Sequence, residues 1–78
     1  MKLTFFGRLR DSVGAGELEY SPPTNVLTSE SLRLWIGEEY PDLLDPTVRI
    51  AIDNQVVRGP APIDGAAEVA FLPPVSGG

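Results

Sequence analysis

The sequence predicts an α+β domain in which a mixed sheet of ββαβββ order packs on one main helix, and three observations predict it. The apolar residues fall into five short clusters, several with the two-residue period of half-buried strands. One stretch, residues 28–40, carries the longer period of a helix instead. No repeat, linker or low-complexity stretch divides the 78 residues, so they form a single domain, 1–78, of which 73–78 is a protruding C-terminal tail.

Leu3-Thr4-Phe5-Phe6 reads as the first strand, stopped at Gly7. Residues 8–16 carry Asp11, Gly14 and Gly16 and read as a turn with room for one short helical piece. Glu17-Leu18-Glu19-Tyr20 alternates polar and apolar as a second strand, and Ser21-Pro22-Pro23 ends it, because proline cannot donate to a ladder. Thr28 or Ser29 caps the helix, with Glu30 at the positive end of its dipole. Leu32, Trp35, Ile36 and Tyr40 share one face. Gly37 weakens the helix interior by about 1 kcal/mol relative to alanine, and Pro41 closes the segment at Tyr40.

Val48-Arg49-Ile50-Ala51-Ile52 alternates with Val48, Ile50 and Ile52 on one face. Asp53-Asn54 is a tight turn into Gln55-Val56-Val57-Arg58, which Gly59-Pro60-Ala61-Pro62 breaks. Asp64-Gly65 marks another turn, and Glu68-Val69-Ala70-Phe71-Leu72 is the last strand. This element order is that of the ubiquitin-like β-grasp. With first and last strands side by side, as in that fold, Leu3, Phe5, Val69 and Phe71 face the helix together.

Composition narrows the chemistry. Lys and Arg number 6 against 11 Asp and Glu, a net charge of −5, and such a surface repels phosphate backbones, so no nucleic-acid partner is expected. Cysteine and histidine are both absent, which removes thiolate and imidazole metal sites, Cys and His nucleophiles, Ser-His-Asp triads and disulfides. A chain this short hides only about 60% of its unfolded surface, and without staples its core rests on packing alone. No apolar run reaches membrane-spanning length and the first residues are too short for a signal peptide, so a soluble, cytoplasmic protein with no membrane partner is expected.

After Leu72 the character changes to Pro73-Pro74-Val75-Ser76-Gly77-Gly78. The two prolines favour an extended path. Gly77 and Gly78 remove all side-chain bulk beside the terminal carboxylate, and the whole tail reaches roughly 20 Å. A carboxylate becomes an acyl donor once a partner adenylates it. A Cβ on either glycine would crowd the narrow approach to that carbonyl.

Residues Glu68 to Gly78 resemble the C-terminus of the small-subunit family of molybdopterin synthase, within the wider MoaD/ThiS-like β-grasp sulfur carriers. Residues Leu3 to Arg10 are similar to that family's first strand and turn, Thr28 to Ile36 to its helix start, and Ala51-Ile52-Asp53-Asn54 to its third-strand turn. The turn Asp64-Gly65-Ala66-Ala67-Glu68 is one residue longer and less acidic than the family's usual form. The resemblance implies a carrier that is not an enzyme on its own. An activating enzyme using ATP adenylates Gly78, a sulfurtransferase converts it to a thiocarboxylate, and the tail enters the synthase large subunit. There it gives sulfur to cyclic pyranopterin monophosphate to build the molybdopterin dithiolene. No cofactor is bound by the chain itself. The same tail chemistry also serves ubiquitin-like modifiers, which join their C-terminal Gly-Gly to lysines, and sulfur carriers of the thiamine, cysteine and tRNA-thiolation pathways.

Strand alternation puts Phe6, Ala51 and Leu72 on the face away from the helix, joined by Val56 or Val57. An apolar patch beside the tail reads as a docking surface. The resemblance assigns Phe6, Val56 and Leu72 to it, adds Arg10, and gives Pro73, Pro74, Val75 and Ser76 to the partner's tail pocket. Arg8 stands near Arg10. Glu38, Glu39, Asp42 and Asp45 read as a solvated helix end, and Trp35 as core.

Overall fold

The computed structural model describes residues 1–74. Its strands are β1 (Lys2–Phe5), β2 (Glu17–Glu19), β3 (Arg49–Ile52), β4 (Gln55–Val57) and β5 (Glu68–Leu72), and its helices α1 (Arg8–Val13) and α2 (Ser29–Gly37), with a 3₁₀ turn at Pro41–Leu44. The five strands form one mixed sheet in the order β2-β1-β5-β3-β4. β1 and β5 run parallel, with Leu3 opposite Val69 and Phe5 opposite Phe71, while β1–β2, β3–β4 and β3–β5 are antiparallel. This is the expected β-grasp.

The inner face of the sheet meets α2. Leu3, Phe5, Val69, Phe71, Val48 and Ile50 are buried there against Leu32 and Ile36, closed by Leu9, Leu43 and Ile63. The Phe5 and Phe71 rings stack with centroids 5.5 Å apart. Trp35 is half-buried at the margin, edge-on to Tyr20 at 5.5 Å.

The caps follow local chemistry. Thr28, not Ser29, caps α2: its Oγ1 accepts the Ser31 N–H (3.2 Å), and Ser31 Oγ accepts the Thr28 N–H (3.0 Å). Ser29 is buried and bonds the loop before β5. Its Oγ donates to the Gly59 carbonyl (3.3 Å) and accepts the Ala61 N–H (3.0 Å). Asp53 and Asn54 both adopt positive φ, 47° and 72°, the geometry of a two-residue hairpin turn. The Asp53 carboxylate also accepts the N–H groups of Ala67 and Glu68 (3.0 Å each), which pins the start of β5.

Several expectations change. The short piece after β1 is a helix, α1, ended by Gly14 at φ 89°. The main helix stops at Gly37, before Pro41, so Tyr40 lies outside it, half-buried. Gly37 is no mere weakness. It is buried, and a Cβ there would stand 2.6 Å from Leu44 Cγ, so its bareness lets the 3₁₀ turn fold back on the helix. Gly37→Ala is therefore expected to destabilise the domain by about 1–3 kcal/mol, the usual range for overpacking, despite alanine's better helix propensity. Urea denaturation reads this directly.

The acidic stretch is not simply solvated. Glu39 accepts from the Tyr20 hydroxyl (3.0 Å), Asp42 from the Ser12 hydroxyl (2.6 Å) and Asp45 from the Thr47 N–H and hydroxyl (2.9 and 2.7 Å). The Thr47 backbone bond, then its hydroxyl, hold the Asp45 carboxyl below its ordinary value of 3.8. A lowered folded value means that Asp45 stabilises above the ordinary range and loses this as pH falls through the folded value. The group is exposed, so a small effect is expected: Asp45→Asn flattens the acid limb of the melting temperature below the ordinary aspartate range.

Candidate functional site

The tail leaves from the middle of the sheet. β5 is held by β1 on one side and β3 on the other, so its last residue has a rigid base. The parallel ladder ends where the Phe6 N–H donates to the Phe71 carbonyl at 3.1 Å. Leu72 follows, then half-buried Pro73 and exposed Pro74. Val75, Ser76, Gly77 and Gly78 lie outside the described residues.

Pleating sorts the strand residues by face. With Phe5 and Phe71 inward, Leu72 points outward and is half-buried, and Phe6, one residue beyond β1, is 46% exposed. β4 resolves the choice of valine: Val56 is 59% exposed, whereas Val57 packs on the core. Ala51 departs from the expectation of an exposed patch. It sits on the outer face in register with Ala70 and Val56, yet is only 6% exposed, because its small side chain lies below its neighbours.

Phe6 and Arg10 come together with Thr4 and Glu17 around one shallow depression of about 520 Å³. Arg10 is exposed and lies over Gly16, where a Cβ would be 3.2 Å from its Nε. Arg8 differs: it pairs with Asp45 at 3.7 Å. Two residues not singled out in the sequence share this end of the sheet. Arg49 is in register with Leu72, a placement that the Val48-Arg49-Ile50 alternation already contained. Gly7 lies against Pro73; only its position directly after a strand signals it.

Among the described residues, no group of three or more His, Cys, Asp or Glu side chains is placed to hold a metal ion, and no helix is long and apolar enough to cross a membrane. Exposed Phe6 and Arg10 and half-buried Leu72 lie at the end of the sheet from which Pro73 and Pro74 depart.

Comparison with known proteins gives the family and the fold. The model of the ThiS family matches residues 3–78. Among solved structures, the chain is similar to one assigned as molybdopterin converting factor subunit 1 from Pyrococcus furiosus, at a TM-score of 0.70 and 22% identity, covering 95% of each chain. It is also similar to small archaeal modifier protein 1 from Methanosarcina acetivorans, at a TM-score of 0.68 and 25% identity, covering 99% of this chain and 94% of that one. No curated protein sequence matches it.

Proposed function

The chain belongs to the ThiS family and is a ubiquitin-like sulfur carrier or modifier, and within that class we propose that it is the sulfur-carrying small subunit of molybdopterin synthase. The observation that carries this reading is the tail: a central, doubly paired strand runs into Pro73-Pro74 and then Val75-Ser76-Gly77-Gly78. In this reading Gly78 is the terminal residue. Its carboxylate attacks the α-phosphorus of ATP on an activating enzyme and releases pyrophosphate. A sulfurtransferase's persulfide then displaces AMP to form an acyl disulfide, and a second thiol of that enzyme attacks the enzyme-side sulfur, releasing the thiocarboxylate and leaving a disulfide on the sulfurtransferase.

The body docks on a large subunit through Phe6, Val56 and Leu72, with Arg10 at the rim. Pro73 to Ser76 thread a pocket, and Gly78 delivers sulfur to cyclic pyranopterin monophosphate. Each delivery returns a carboxylate, and two deliveries build one dithiolene. Acid–base groups belong to the partner, and ATP is the activating enzyme's substrate. The lack of cysteine suits the role, since no internal thiol can trap the activated tail.

Reconstitution tests it. Thiocarboxylated chain, a synthase large subunit and cyclic pyranopterin monophosphate are expected to yield molybdopterin, and the carboxylate form none. No product with the loaded chain removes the assignment.

The likeness to an archaeal modifier supports a second reading, conjugation to lysines of other proteins. Lys2 is the chain's only lysine, which leaves little scope for chain building and permits single attachment to other proteins. Lysines bearing this tail in isopeptide linkage, sought in cell lysates by mass spectrometry, would establish that reading.

A further inference from the structure

We infer that Gly7 is a positioning residue for the tail: it seats Pro73 and so fixes the direction in which the chain leaves β5 toward the activating enzyme. The inference rests on the carrier reading above and assigns a part to a residue that reading leaves idle.

The parallel pairing of β1 and β5 sets the geometry. Because β1 and β5 run the same way, their ends lie side by side, Phe5 opposite Phe71. Beyond the Phe6–Phe71 hydrogen bond the two chains must part. β1 does so through a tight turn closed by the Leu9 N–H on the Phe6 carbonyl (3.1 Å), with Gly7 at its first corner (φ 56°, ψ −136°). That corner favours glycine on backbone grounds. β5 parts through Pro73, which has no N–H to continue a ladder and holds its own φ near −65°.

The two departures touch. A Cβ on Gly7 would stand 2.8 Å from Pro73 Cγ, 3.7 Å from its Cδ and 3.8 Å from its Cβ. The first distance is one that real Cβ atoms essentially never show, so the pyrrolidine ring rests on a bare α-carbon. Gly14 and Gly65 also have positive φ, but nothing lies within 4 Å of a Cβ there, so their turns ask only for backbone freedom. Gly7 alone among the described glycines meets both demands. Its surface supports a ring of fixed φ at the first tail residue, and a side chain would push that ring off its seat. The displacement falls on Pro73 and Pro74, at the root of the tail, since β1 and β5 are locked by their ladder.

The test is a double-mutant cycle read in ATP-dependent adenylation by the activating enzyme, followed as pyrophosphate release, with thermal melting as the fold control. Gly7→Ala replaces none of Phe6, Val56 and Leu72, so KM is expected to change little while kcat falls by roughly 10–100-fold, the usual effect of misplacing a reacting atom. Pro73→Ala deletes Cγ and Cδ and leaves Cβ at an ordinary 3.8 Å. Its kcat falls several-fold because the seat is empty, and adding Gly7→Ala to it causes no further fall.

Strain in the turn alone predicts an equal fall from Gly7→Ala in both backgrounds, and that result overturns the inference. So does unchanged kcat in Gly7→Ala. Should Gly7→Ala not fold, Pro73→Ala decides by itself: a lowered kcat with unchanged KM supports the seat, and a wild-type kcat, or a raised KM such as loss of a pocket contact predicts, overturns it. Absence of pyrophosphate release from the wild-type chain overturns the carrier reading along with the inference.

Discussion

Deletion of Gly78 is expected to lower sulfur transfer by about 100-fold or more while leaving the affinity for the large subunit unchanged. One residue fewer draws the carboxylate back by about 3.5 Å along an extended chain. The partner's groups are fixed around the position that Gly78 should reach. In the proposed complex docking is carried by the body, through exposed Phe6 and Val56, and the deletion touches neither. Titration calorimetry should give the wild-type dissociation constant, and product formation from the preloaded chain should give the loss. Replacing Gly77 by valine is expected to act in the same direction, since a branched side chain crowds the path to the carbonyl.

Leu72→Arg is expected to do the opposite. Leu72 points away from α2, on the face opposite its buried neighbour Phe71. A guanidinium there would be buried unpaired in the complex, at about 3–5 kcal/mol, or a binding constant weakened by roughly 100-fold or more. Arg49 is in register with Leu72 across β3, so the free domain also carries a like-charge pair. That adds up to about 1 kcal/mol. A domain of this length has roughly 4–12 kcal/mol to lose, so it stays folded. Circular dichroism should show an intact domain with a slightly lower melting temperature, and calorimetry little or no complex. Normal binding by Leu72→Arg would remove this face from the interface.

Much of the fold was legible in the sequence. The alternation of Val48, Ile50 and Ile52 and of Val69 and Phe71 sets the inward face of two strands without any tertiary knowledge. Asp53-Asn54 signals its turn because those two residues tolerate the left-handed region. The illegible parts depend on contacts between distant segments. α1 spans only Arg8–Val13, too short to be stable alone, and exists because Leu9 is buried under the sheet. The end of α2 at Gly37 is set by the return of Leu44, which no local pattern reports.

The site divides the same way. Outward Phe6 and Leu72 follow from pleating, whereas the burial of Ala51 reflects its neighbours in register, Ala70 and Val56. A glycine after a strand reads as a simple breaker. Only φ and the approach of Pro73 give Gly7 a second reason to be there.

Activated sulfur on Gly78 would be visible in the mass of the chain itself. The most direct test is intact-mass spectrometry of the chain purified from cells that contain its activating enzyme and sulfurtransferase. The account predicts a fraction in which one oxygen of the Gly78 carboxyl group is replaced by sulfur, lost on incubation with the large subunit and its pterin substrate. A chain found solely as the carboxylate, with the activating enzyme present and competent, would contradict it.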